Sequence, residues 1–250
     1  MRVFIISLHL LLFVATCPAL GQGKLLRHFG FYAGYNFNSI DHPALDHLNN
    51  LWNNSHPSDK VVRRYGDFLR MSGFSGGFMG YRKRFFADFG FNVRKTTNLA
   101  RFSDIVGEFQ SQTLSMNSFH LGFGYNMSSG NDIVMITPGA SFGIGRIEIK
   151  EGIYRTLADI PISASQHKPT APIDNTKSMS VLNPFASIFV NITIGKLNSR
   201  MPKVVIQPYL TVPLKKTDLT PAFYPTSANA FDPTLKAYLS YWGTKVAIAF

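Results

Sequence analysis

The sequence predicts an all-β fold: an antiparallel transmembrane β-barrel of about eight strands, with short periplasmic turns and long outer loops. Three observations predict it. An export leader opens the chain, eight segments alternate side chains between a greasy face and a small or polar face, and short connections alternate with long ones.

The leader comes first. Arg2 precedes an apolar run over 3–15, followed by Pro18-Ala19-Leu20-Gly21. A short positive region, an apolar stretch and a small-x-small site together make a secretory signal peptide. Residues 1–21 are therefore expected to leave, and 22–250 to form the barrel domain. The apolar run is too short for a spanning helix, which needs ~20 apolar residues. Cys17, the single cysteine, lies inside this segment. A lipoprotein reading would lipidate it, but Thr16 before it and Pro18 after it make a poor lipidation signal. Without the leader the mature chain carries no cysteine, which excludes disulfides and Cys-based metal sites or nucleophiles.

Composition agrees with a wall of strands. Hydrophobic residues make up 45% of the chain and charged residues 16%, where soluble domains carry about a quarter charged. Phe, Gly and Tyr are abundant and favour strands and close backbone approach. The net charge is +11. An exported basic protein attracts outer-membrane lipid and lipopolysaccharide. The basic residues are scattered, without a sustained run or a nucleic-acid motif, so no nucleic-acid partner is expected.

Strand residues alternate between two faces. In 29–37, Phe29, Phe31, Ala33, Tyr35 and Phe37 oppose Gly30, Tyr32, Gly34 and Asn36. The segment 73–81 is less regular, with Phe74 and Phe78 opposing Met79 and Tyr81. Next, Phe85, Ala87, Phe89, Phe91 and Val93 oppose Phe86, Asp88, Gly90, Asn92 and Arg94. Over 118–127, Phe119, Leu121, Phe123, Tyr125 and Met127 oppose Ser118, His120, Gly122, Gly124 and Asn126. The pattern recurs in 134–145, 187–194, 204–212 and 241–250, where Trp242, Val246, Ile248 and Phe250 oppose Tyr241, Gly243, Lys245 and Ala247.

A soluble sandwich would turn the greasy face inward and a Lys- and Glu-rich face to water. Here the second face is rich in Gly, Ala, Ser and Asn, as a narrow lumen requires, while a membrane barrel shows its apolar face to lipid. Backbone groups in lipid must all be paired, so the sheet has to close.

Short connections fall at Arg82-Lys83-Arg84, Ser128-Ser129-Gly130-Asn131-Asp132 and 195–202; long ones fall at 38–72, 95–117, 150–180 and 215–233. In the first long loop, Leu45, Leu48, Leu51 and Trp52 share one side of a helix over 43–52, and Val61, Val62, Tyr65, Phe68 and Leu69 suggest a second. Pro138, Pro184, Pro208 and Pro213 each remove a ladder donor, so they are expected at rims or bulges. Tyr125 and Trp242 suit the membrane interface.

The segments Ser72-Gly73-Phe74-Ser75-Gly76-Gly77-Phe78, His28-Phe29-Gly30-Phe31-Tyr32-Ala33-Gly34 and Gly243-Thr244-Lys245 resemble Bacteroidota outer-membrane barrel domains, the PorT-like group in particular. The terminal Tyr241 to Phe250 is similar to the C-terminal assembly signal of such proteins, with Trp242, Val246, Ile248 and Phe250 as its alternating residues. The resemblance implies recognition by the barrel-assembly machinery and association with type IX secretion.

Asp88, Asn92, Arg94, His120, Asn126 and Lys245 share lumen parity and are expected to form a polar network, since isolated buried charges are too costly. Ser118 and His120 are the only nucleophile–base candidates for a barrel enzyme acting on lipid. The first reading of function is a non-enzymatic scaffold or accessory subunit of an outer-membrane assembly, with other outer-membrane proteins as partners; the second is that enzyme, and the third is a small-solute pore. Asp41, His42, Asp46, His47, His56 and Asp59 lack compact ligand spacing, and neither a metal nor a cofactor is expected.

Overall fold

The computed structural model describes residues 28–40, 42–54, 61–66, 68, 70–102, 109–128, 133–154, 174–195, 201–223 and 233–250. The expected leader 1–21 with Cys17, and Asp41, His56, Asp59, Leu69 and 129–132, lie outside the described residues. The strands are β1 (His28–Ser39), β2 (Val61–Arg63), β3 (Arg70–Arg82), β4 (Phe85–Phe102), β5 (Phe109–Tyr125), β6 (Val134–Tyr154), β7 (Asp174–Ile194), β8 (Lys203–Pro213), β9 (Thr217–Asp218), β10 (Lys236–Ala237) and β11 (Tyr241–Ala249). The helices are α1 (Pro43–Asn54) and α2 (Thr220–Phe223).

Eight strands make a closed antiparallel barrel. β3 to β8 run in order, β1 pairs with β3 on one side, and β11 pairs with β8 and then with β1 to seal the wall. The seam is tight at its turn end, where the Phe250 N–H donates to the Phe31 carbonyl at 2.9 Å and their rings stack at 5.0 Å.

The two faces sort as the alternation requires. Phe31, Phe37, Phe74, Phe91, Phe119, Phe123, Phe142 and Ile188 point outward and are exposed, whereas Asn36, Asp88, Ser118, Thr137, Asn191 and Lys245 point inward and are buried. The outward apolar stretch runs from Phe85 to Val93 on β4 and from Val134 to Ile144 on β6. That is the ~9–11 residues a tilted strand uses to cross a bilayer core.

Above this belt the polarity inverts. β4 to β7 continue past it, with Arg101, Asn117, Arg146, Lys150 and Ser180 facing outward and exposed. Their inward neighbours Ala100, Leu114, Met116, Ile147, Ile149 and Met179 are buried in one apolar cluster. The upper wall is thus an ordinary water-facing sheet around a greasy core. Helix α1 stoppers that core with Leu45, Leu48 and Trp52, joined by Tyr65, Phe68, Leu219, Leu235 and Leu239. Burial and the Glu151 carboxylate push the Tyr65 phenol above its ordinary range.

The structure corrects three expectations. Within the connections expected over 95–117 and 150–180, the described residues 95–102, 109–117, 150–154 and 174–180 are strand, because β4 and β5 pair out to Arg101↔Phe109 and β6 and β7 to Ile153↔Asp174. The second helix is replaced by β2, which pairs with β4 at Phe102 and Arg101. Asn53 binds both the N–H and the C=O of Tyr65, at 2.9 and 3.0 Å, and Asn49 donates to the Gly66 carbonyl at 2.9 Å. Those bonds hold the chain extended where a helix would have consumed the same backbone groups. Pro208 sits neither at a rim nor at a bulge. It faces Thr244 of β11 in continuous register, while the β7–β8 ladder lacks pairs between Phe189↔Tyr209 and Ile192↔Ile206 and resumes unshifted. The missing N–H there costs local pairing without moving the register. Pro184 and Pro213 do lie where the β7–β8 ladder begins.

Candidate functional site in the barrel interior

The interior is filled in layers. At the turn end, Tyr81 bonds Thr193 at 3.2 Å and receives the Asn191 amide at 3.3 Å. Phe86 packs against the Tyr81 and Phe189 rings, with centroids 4.9 and 6.1 Å away, and closes that end. The apolar cap closes the other. Between them lies the polar layer, brought to one level because Asn36 pairs with Lys245, Gly73 with both Asn36 and Arg94, and Asn92 with Ser118 across successive strands.

Asp88 Oδ2 binds Lys245 Nζ at 3.4 Å and His120 Nε2 at 3.3 Å. The same lysine stands 4.2 Å above the Tyr32 ring. His120 Nδ1 meets the Asn92 amide at 3.3 Å, and Asn92 Nδ2 also reaches Ser118 Oγ at 3.4 Å. Arg94 donates to Ser118 Oγ at 3.0 Å and to Asn38 at 3.4 Å, and lies 4.7 Å over the Tyr241 ring. Asn36 donates to Asn92 at 3.0 Å, and the Tyr209 hydroxyl donates to Asn38 and, at 3.5 Å, to Asn36. Gly90 leaves the space into which the Tyr32 hydroxyl and the His120 ring fit; a Cβ there would overlap both.

Asp88, Asn92, Arg94, His120 and Lys245 therefore form one bonded chain. Asn126 is buried but stands apart, because its side-chain oxygen accepts from the Ser128 N–H at 3.0 Å and serves the turn. Sequence reasoning left Asn36, Tyr32, Tyr209 and Asn38 out of the site. Lumen parity alone would have included the first three, whereas Asn38 lies past the end expected for its strand.

Ser118 and His120 do not form a nucleophile–base pair. Asn92 stands between them, and the Ser118 oxygen accepts from two donors instead of giving its proton to the imidazole. In the outer loop, His42 Nδ1 accepts the Ala44 N–H at 3.1 Å at the start of α1. Among the described residues no group of three His, Cys, Asp or Glu is arranged for a metal. At the C-terminus, Trp242, Val246, Ile248 and Phe250 all face outward and are exposed.

No family model matches the chain, and no curated protein matches it in sequence. Among solved structures it is similar to Ail, the attachment invasion locus protein of Yersinia pestis, in a complex with the heparin analogue sucrose octasulfate, at 9% identity and a TM-score of 0.43, covering 89% of this chain and 98% of that one. A second Ail structure gives 10% identity and a TM-score of 0.36 over 89% and 98% of the two chains. The N-terminal β-barrel domain of Pseudomonas aeruginosa OprF gives 10% and 0.35 over 90% and 98%. The closed barrel stands on its own strand pairing, and at such values none of these proteins lends its function.

Proposed function

We propose that this chain is a non-enzymatic outer-membrane β-barrel that serves as a scaffold or accessory subunit of an outer-membrane assembly. The observation that carries the reading is the inversion of the wall: greasy outside and polar inside over one bilayer's height, then polar outside and greasy inside above it. A sheet with that order is matched to lipid below and water above. Lys95, Arg146 and Lys150 stand on the outer face just above the belt, where the phosphates of outer-membrane lipid and lipopolysaccharide would meet them. The outward row Trp242, Val246, Ile248 and Phe250 suits recognition by the barrel-assembly machinery.

Support for a protein partner comes from the upper sheet. Among the described residues, the β8-side edge of β7 from Asp174 to Asn183 pairs with no strand, with α2 lying beside β7 and the Pro184 carbonyl taken by the Leu214 N–H. An open edge is a template for a partner strand. The resemblance to the PorT-like group names type IX secretion as the assembly to look for first.

Cysteines placed at Ser178 and Ser180 should crosslink to a co-purifying outer-membrane protein when the chain is isolated natively, and Phe142 positions should not. A chain that comes out alone and uncrosslinked contradicts the scaffold role. The enzyme reading predicts lipid turnover that His120→Ala abolishes, and the pore reading predicts planar-bilayer conductance. The layered interior supports neither.

A further inference from the structure

We infer that the barrel interior holds a small monovalent anion, of chloride size, paired with Arg94. The inference rests on the interior packing and stands whether or not the membrane reading does.

Arg94 is 2% exposed, and its partners among the described residues are neutral: Ser118, Asn38, Tyr209 and Tyr241. Among the described residues it has no carboxylate within ion-pair distance, and its Nε has no partner. The one carboxylate at this level, Asp88, is already held by Lys245 and His120. The polar layer therefore carries an uncompensated positive charge where water is scarce. Buried charges are paired, because desolvating an isolated one costs far more than neutral hydrogen bonds return.

Beside Arg94 lies a cavity of about 40 Å³. Lys245, Gln207, Ser187, Thr211 and Tyr209 line it with Arg94, and no carboxylate does. Ser187 and Thr211 share one hydrogen bond at 2.7 Å, so one of the two hydroxyl protons is left to point elsewhere. A water needs ~10–15 Å³ by the same measure, so the space admits a monatomic ion or a few waters and is too small for a polyatomic anion with its own shell. Two cations, free donors and no acceptor charge select an anion over a cation. The aromatic layer lies below it and the apolar cap above it, and the low dielectric of those layers strengthens the attraction.

The test uses the whole mature chain, refolded in detergent at equal ionic strength in chloride, bromide or gluconate. Chloride and bromide should raise the unfolding temperature saturably, by a few degrees over gluconate, as expected for a ligand bound only by the folded state. Arg94→Gln should abolish that difference. In crystals grown in bromide, the anomalous signal should place the halide beside Arg94, and this reading stands even if the variant fails to fold. Equal stability in all three salts, a halide effect that survives in Arg94→Gln, or bromide found only on the outer surface overturns the inference and leaves the cavity to water.

Discussion

Lys245 and Asp88, 157 positions apart in the chain, meet inside the barrel at 3.4 Å. The contact exists only when β11 has sealed against β1 and β8, because Lys245 is carried by the closing strand. Removing one partner of a buried ion pair leaves the other charged and unpaired, a loss of ~3–5 kcal/mol. Asp88→Asn should lower the unfolding free energy in urea by about that amount, and Asp88→Asn with Lys245→Met should recover part of it. A neutral single variant would show that the pair contributes nothing to closure.

Gly90 is required by its neighbours and not by its own backbone. An added methyl would occupy the place of the Tyr32 hydroxyl. Gly90→Ala should fold poorly, read as loss of the compact, heat-modifiable band on gels, and Tyr32→Phe should restore part of the yield. A Gly90→Ala protein that folds normally without the second change would mean the interior is looser than described.

Phe142 is 60% exposed on the middle of β6. On a soluble protein, arginine there would be tolerated. Facing the hydrocarbon core it costs ~2–4 kcal/mol at the midplane. Phe142→Arg, between midplane and the top of the belt, should destabilise the barrel by ~1–3 kcal/mol in lipid vesicles, while Lys150→Glu, on the same strand face above the belt, should change stability by less than ~0.5 kcal/mol.

Leu48 of α1 is fully buried in the upper core. Leu48→Ala should cost ~2–5 kcal/mol, as truncations of this kind do. The loss should fall on the cap: protease should cut within α1 while the belt of the barrel stays folded. Simultaneous loss of both would make cap and barrel one cooperative unit.

How much of this was legible follows from where the chemistry is regular. Within the belt, Phe–Gly and Phe–Ser alternation fixes inward and outward faces residue by residue, which is why Asp88, Arg94 and Lys245 could be placed inside from parity alone. Above Val93 the greasy residues change sides, so Lys95, Thr97 and Arg101 read as loop although they continue β4. Leu114 and Met116 likewise lie inward on β5, outside the pattern that marked its lower half. The helix over Pro43–Asn54 was visible because Leu45, Leu48 and Trp52 recur at helical spacing. The segment after it has helical apolar spacing yet is extended, since Asn49 and Asn53 reach across to claim its backbone and no local pattern records that.

The two tryptophans sit on opposite sides of the inversion and so report separately on which part of the wall meets lipid. Trp242 is 64% exposed on the outer face of the belt, and Trp52 is 5% exposed in the cap core. In vesicles whose acyl chains carry bromine, a Trp52→Phe protein, which keeps only Trp242, should be strongly quenched. A Trp242→Phe protein, which keeps only Trp52, should fluoresce as it does in ordinary lipid. Equal quenching of both, or of neither, would contradict a wall whose lower half faces lipid and whose upper half does not.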